Sequence, residues 1–107
     1  MLQKMDVHGK LSILVQSDRH FDFVENLTEA ALEKGKQVKI HILGDGVAFI
    51  NSITFAHLIH MAQISICSDS FNKFFSENTP VVPRTVKIVQ PRQITEIVQW
   101  CDRNIVF

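Results

Sequence analysis

Residues 38–47, Val-Lys-Ile-His-Ile-Leu-Gly-Asp-Gly-Val, decide the fold. The first five alternate apolar and polar side chains, which predicts a β-strand with one apolar and one polar side. Such a strand lies near a sheet edge, or its second face is thinly covered. Gly44 and Gly46 predict a sharp turn after the strand, because glycine adopts backbone angles that other residues avoid.

Strand and helix patterns alternate on both sides of this stretch. Upstream, the apolar run 10–17 predicts a buried strand. Helical spacing then predicts a helix from Phe21 that ends at Lys34-Gly35. We expect Ser17 or Asp18 to cap this helix, since a short side-chain oxygen accepts hydrogen bonds from free amides of the first turn.

Downstream, residues 47–62 read as helical, with a possible restart at Thr54 after Asn51-Ser52. This helix is apolar on several sides, which indicates burial and a contact between subunits. The remaining predicted elements are a strand at 64–67, a helix at 71–77 capped by 68–70, a loop at 78–84, a strand at 86–89, a helix beginning at Pro91 and a final strand at 105–107.

The resulting order, βαβαβαβαβ, predicts a three-layer α/β/α fold with a mostly parallel five-stranded sheet. A chain of 107 residues fits one domain over 1–107. We expect its first part, 1–9, to be a flexible N-terminus.

Composition excludes several classes of function. The 11 basic and 11 acidic side chains give a formal net charge of +0, so no strong field favours nucleic acid or an anionic membrane. We see no secretory signal and no apolar stretch long enough for a transmembrane helix. Two cysteines are too few for a disulfide scaffold. We therefore expect a cytoplasmic protein with reduced thiols.

In parallel α/β sheets, ligands bind outside the carboxyl ends of the strands. Four segments of this chain are predicted to lie there: 17–22, 44–46, 67–70 and 90–92. We expect any activity to come from them.

Cys67 is the strongest candidate in these segments. It ends a strand and precedes a predicted helix start, where free backbone amides stabilise an anion. Asp69 opposes a thiolate at this position, whereas Lys73 favours it. The alternative is a buried structural cysteine, since free cysteine is among the most buried residue types. Cys101 follows the apolar face of the last helix, so we expect it to be inert; spacing leaves a disulfide between the two undecided.

The histidines suggest two further roles. His57 and His60, one turn apart, could join Cys67 as metal ligands, but a fourth ligand is missing, so we expect no metal. Arg19 and His20 could stabilise a thiolate, bind an anionic partner or simply face solvent.

Nucleotide and serine-hydrolase signatures are absent from the sequence. The turn 44–46 lacks the third glycine of the dinucleotide fingerprint, and no GxxxxGK[ST] motif occurs. The first predicted loop, 17–22, has no glycine and two carboxylates, which suits a phosphate poorly. No nucleophile elbow surrounds a serine. We expect no cofactor.

Several pieces occur together across nearly the whole chain: a helix ending in Lys34-Gly35, the Leu43-Gly-Asp-Gly-Val47 turn, Ile64-Ser-Ile-Cys67, and Trp100-Cys-Asp-Arg103 before the last strand. In this combination the sequence resembles the DsrE/DsrF/DsrH-like sulfur-relay family, which includes the Tus proteins. The most telling feature is the glycine turn followed about twenty residues later by a strand-end cysteine.

The resemblance implies a doubly wound sheet, a homo- or hetero-oligomer, sulfur donor and acceptor proteins as partners, and a cysteine that takes sulfane sulfur as a persulfide. Only Cys67 matches that cysteine. The segment 68–75 is bulkier than in many members with the active cysteine, and it lacks their Arg-Gly. Because some members have lost the cysteine, two hypotheses follow: a sulfurtransferase-type carrier acting through Cys67, or a non-catalytic assembly subunit.

Overall fold

The computed structural model describes residues 9–77 and 80–107. Apart from Gly9, the N-terminus expected to be flexible lies outside the described residues, as do positions 78–79 of the predicted loop. The helices and strands in chain order are β1 (Lys10–Val15), α1 (Phe21–Glu33), β2 (Gln37–Ile42), a first 3-10 helix (Gly44–Asn51), α2 (Ile53–Leu58), β3 (Gln63–Cys67), α3 (Ser68–Phe74), β4 (Lys87–Val89), a second 3-10 helix (Pro91–Gln93), α4 (Ile94–Trp100) and β5 (Arg103–Val106).

The strands form one parallel sheet in the order β4-β3-β2-β1-β5. The connections from β1 to β4 step in one direction, and the last connection returns across the sheet to β5. Right-handed crossovers therefore place α1, α2 and α3 on one face and α4 on the other. The predicted α/β/α architecture is confirmed. Since β2 lies at the centre of the sheet, its polar side belongs to a thinly covered face and not to an edge.

The apolar core lies between the sheet and the three helices. Alternate side chains of β1, β2 and β3 point into it, as the period of two requires: Leu11, Ile13, Val15, Val38, Ile40, Ile42, Ile64 and Ile66. Phe49 of the first 3-10 helix is fully buried there. Its ring centroid lies 4.5 Å from that of Phe21 and 5.9 Å from that of Phe55. We call this side the apolar face and the α4 side the polar face.

The ends of α1 were predicted only in part. The helix ends as expected, with Gly35 at a φ of 78°. Its N-cap is His20, which makes no side-chain capping bond, so the predicted cap at Ser17 or Asp18 was wrong. The Ser17 hydroxyl instead accepts a hydrogen bond from the Arg19 amide at 3.2 Å, which closes a turn before the helix begins.

The predicted helical region 47–62 contains the first 3-10 helix and α2, which are separated at Ser52. The Ser52 hydroxyl caps α2 by accepting a hydrogen bond from the Phe55 amide at 3.1 Å. The turn before it is confirmed, with Gly44 at a φ of +56°. In the described part of the chain, none of the helices is both long and apolar enough to cross a membrane.

Candidate functional site

Cys67 is the last residue of β3 and the N-cap residue of α3. Its backbone is extended, with a φ of −65° and a ψ of 124°, and α3 begins at the next residue. The helix starts at Ser68 and not at Phe71 as predicted, so residues 68–70 form its first turn and do not cap it. The Cys67 thiol makes no capping hydrogen bond to the amides of that turn.

The Cys67 side chain belongs to the polar face. Side chains alternate along β3, so Cys67 and Ser65 share a face, and Ile66 points into the apolar core. Cys67 is 6% exposed but is not part of the apolar core cluster. Its partner on β4 is Val89. The thiol is therefore buried against the less densely covered side of the sheet.

Two of the four predicted carboxyl-end segments meet at this point. The Gly44 amide donates a hydrogen bond to the Ser70 hydroxyl at 2.9 Å, which joins the turn after β2 to the first turn of α3. The expectation is confirmed for 44–46 and 67–70, and the segment 90–92 begins directly after Val89, the strand partner of Cys67.

The segment after β1 lies elsewhere. The His20 ring stacks on Phe23 at 5.5 Å between centroids and lies 6.2 Å from the Phe107 ring, at the end of β5. Strands in a sheet are about 4.8 Å apart, so β5 and β3 are separated by about 14 Å. The structure does not bring His20 to Cys67.

The histidines of α2 and its end do not join Cys67. Nδ1 of His57 lies 3.2 Å from Oε2 of Glu25 on α1, on the opposite side of the sheet from the Cys67 thiol. Across residues 9–77 and 80–107, no three His, Cys, Asp or Glu side chains form a group that could hold a metal ion.

His41 is a residue of the polar face that the sequence did not single out. It is 1% exposed, and its Nδ1 lies 2.8 Å from the Ser65 hydroxyl on the neighbouring strand. Desolvation by burial lowers the pKa of His41 below 6.5. Burial consequently favours the neutral form of the imidazole. The alternating pattern of β2 placed His41 on the polar side, and recognition of β2 as a central strand would have predicted its burial.

The second cysteine lies at the other end of the polar face. The Ser12 hydroxyl is fully buried, 3.2 Å from Sγ of Cys101 and 2.7 Å from Oδ1 of Asn104. Sγ of Cys101 also donates to the Val98 carbonyl at 3.2 Å. Both cysteines are free thiols, which answers the question of a disulfide.

Two lysines of the polar face lie against the last helix. Nζ of Lys39 is 4.3 Å from the centroid of the Trp100 ring, and Nζ of Lys10 is 5.7 Å from it. These are distances at which a cation is attracted to the π-system. The Lys39 ammonium is therefore held beside α4.

The sequence matches no family model. A search of curated proteins also finds no match. Among solved structures, the crystal structure of the YchN protein from E. coli superposes with a TM-score of 0.69. The two chains are 10% identical, and the match covers 94% of this chain and 99% of YchN. YchN is a DsrE/DsrF-like fold protein. This chain accordingly has a five-stranded parallel α/β fold like that of YchN.

Proposed function

We propose that this protein is a sulfur-relay protein that accepts sulfane sulfur as a persulfide on Cys67 and passes it on. The observation that carries the proposal is the place of Cys67 in a DsrE-like fold: the end of a parallel strand, next to the turn after β2. Ligands of parallel α/β sheets bind at this edge.

The chemistry needs one thiol and no cofactor. The Cys67 thiolate attacks the outer sulfur of a donor persulfide, R–S–SH. The S–S bond of the donor breaks, R–S⁻ leaves with the electron pair, and the sulfur remains as Cys67–S–SH. In the second half, an acceptor thiolate attacks that terminal sulfur, and Cys67 leaves as the thiolate.

The polar face suits a side chain that gains and loses an atom. Adding sulfur to a residue of the close-packed apolar core would force neighbouring side chains to shift, at a cost of about 1–3 kcal/mol. Cys67 points away from that core, beside the half-buried Val89. The extra sulfur atom therefore only has to fit on the less densely covered side of the sheet.

Access to the thiol is a requirement of the proposal. Because Cys67 is only 6% exposed, sulfur transfer needs a local opening of the chain around it. Local openings cost less free energy than global unfolding, and the short strand β4 beside Cys67 is half-buried to exposed along its length. We expect the opening to involve β4.

The test is sulfur loading of single-cysteine variants. Cys101→Ser protein, incubated with a persulfide donor and measured as the intact chain, should gain the mass of one sulfur atom. Cys67→Ser protein should gain none. Loading of Cys67→Ser to the same extent as Cys101→Ser would contradict the proposal.

A second candidate is the non-catalytic assembly subunit. Its support is the combination of a buried Cys67 with large apolar side chains at the surface, above all Ile53 of α2, 77% exposed, and Val81, 97% exposed. This candidate predicts slow alkylation of both cysteines at equal rates. It also predicts a lower oligomeric state for Ile53→Ser in light scattering, without any loading of Cys67.

A further inference from the structure

The polar face has an uncovered half. Helix α4 packs over β1 and β2, and a single helix, about 10 Å wide, cannot cover five strands spaced about 4.8 Å apart. The half formed by β3 and β4 is left as the floor of a cleft with a volume of about 490 Å³. This volume falls in the range of small-molecule sites.

The register of the strands places the residues in and beside this cleft in rows; Ser65, Lys87 and Val89 line the cleft, whereas the buried His41 and Cys67 lie next to its lining. His41, Ser65 and Lys87 are direct partners across β2, β3 and β4. One step further toward the carboxyl edge, Cys67 pairs with Val89. All five side chains lie on the same face, because partners in a sheet share a face and residues two apart do as well.

The lining of the cleft is cationic and polar. Lys39 and Lys87 line it together with Ser65, Val89 and Ile97, and Glu96 is the one acidic side chain among its lining residues. Lys39 is held in place by the Trp100 ring, as described above. The chain as a whole has no net charge, so the excess of positive charge here is local.

We propose that this cleft binds a low-molecular-weight persulfide with net negative charge and places its sulfur at Val89, the strand partner of Cys67, where the local opening at β4 brings it to the thiol. The inference rests on the proposed function and adds the substrate class. Lys87 lies two residues from the level of Cys67, a distance of about 7 Å along the strand. A persulfide of amino-acid or short-peptide size spans that distance with its carboxylate at Lys87 and its sulfur at Val89, and Lys39, at the level of Gln63, adds positive charge at the far end of the cleft.

The residues that line the cleft explain how it would recognise an anionic persulfide. Ammonium groups attract carboxylates most strongly where one side is shielded from water, and this cleft has the sheet beneath it and α4 beside it. Ser65 supplies a hydroxyl already oriented by buried His41 at 2.8 Å. The apolar Val89 and Ile97 suit the carbon and sulfur atoms of the ligand.

The test uses two reagents of nearly equal size that differ in charge. Iodoacetate is an anion and iodoacetamide is neutral, and both alkylate a thiol. In Cys101→Ser protein, the ratio of the iodoacetate rate to the iodoacetamide rate, normalised to a free small thiol, should exceed one. In the same background, Lys87→Gln should lower the ratio about threefold to fivefold, and Lys39→Gln should lower it less because its charge lies farther from Cys67. The control Lys34→Gln, which removes the same charge from a cleft on the apolar face, should leave it unchanged.

Sulfur donors provide the second arm. With each rate normalised to that of a free small thiol, which corrects for the different leaving groups, glutathione persulfide should load Cys67 faster than hydroxyethyl persulfide, whose carbon group is uncharged, and Lys87→Gln should remove this excess. Equal loading by the two donors, or an equal loss with Lys34→Gln, would overturn the inference and leave the proposed function standing. If neither donor loads Cys67, the proposed function is overturned. In that case the iodoacetate preference still reports whether the cleft attracts anions.

Discussion

On one face of the sheet, three helices bury the branched side chains of β1, β2 and β3. On the other face, α4 packs over β1 and β2, whose buried polar side chains there are Ser12 and His41, and none of its own residues is buried. The two faces are made by alternate residues of the same strands. The comparison teaches that one face supplies most of the packing that stabilises the domain, which leaves the other free to hold polar side chains and thiols.

The arrangement of helices explains this division. Three connections run in one direction and place their helices together, whereas only the last connection crosses the other face. Polar side chains tolerate a thinly covered face because they satisfy one another by hydrogen bonds, as Ser12 does with Cys101 and Asn104, and His41 with Ser65.

The largest expected difference between the faces is in stability. Ile40→Ala removes a fully buried side chain from the apolar core, and we expect the free energy of unfolding to fall by about 2–5 kcal/mol. Ile97→Ala, the matched change at a half-buried position of α4, should cost less than about 1.5 kcal/mol. Denaturant titration measures both values. Equal losses would show that the two faces contribute alike.

The next effect is a pH dependence that originates on the polar face. Burial lowers the pKa of His41 in the folded chain below 6.5, so the unfolded chain binds a proton that the folded chain does not. The free energy of unfolding should therefore decrease as the pH falls from 6.5 toward the lowered pKa. The slope from this one group is at most about 1.4 kcal/mol per pH unit.

The variant His41→Gln should flatten that part of the profile and keep a side-chain amide near Ser65. His60→Gln, which replaces an exposed histidine, is the control and should retain the wild-type slope. Thermal or denaturant unfolding between pH 5 and pH 8 gives the profile. An unchanged slope in His41→Gln would show that this imidazole takes up a proton equally in both states.

The smallest effect tests the hydrogen bonds at the far end of the polar face. Ser12→Ala removes a buried hydroxyl beside Cys101 and Asn104, and we expect a loss of about 1 kcal/mol. Alkylation of Cys101 should also become faster, since its thiol loses one of two contacts. The exposed Ser76→Ala is the control. A loss of stability no larger than that of the control would show that the hydrogen bonds of Ser12 do not stabilise the fold.

The apolar face could be predicted from sequence because its signals are local. Residues close together in the sequence determine these elements: runs of branched side chains form β1 and β2, and a glycine ends α1. The errors also have local causes: Ser17 closes its own turn with Arg19 and does not cap α1, and α3 starts directly at Ser68 because Cys67 is itself the N-cap residue.

The polar face could be predicted only in part. The alternation in β2 indicated a thinly covered side, and Cys67 was placed correctly at a strand end beside the glycine turn. The burial of His41 and Ser12 depends on α4, whose residues lie more than fifty positions away along the chain from His41. The cleft at Lys39 and Lys87 depends on the register of three strands, which the pattern of a single strand does not contain.

The most direct test of the central claim reads both cysteines of the wild-type protein in one experiment. The protein is treated with a persulfide donor, alkylated, digested, and the two cysteine peptides are compared by mass spectrometry. We predict that the peptide with Cys67 carries an alkylated persulfide and that the peptide with Cys101 carries only an alkylated thiol. A persulfide on Cys101 alone, or on neither peptide, would contradict the assignment of sulfur transfer to Cys67.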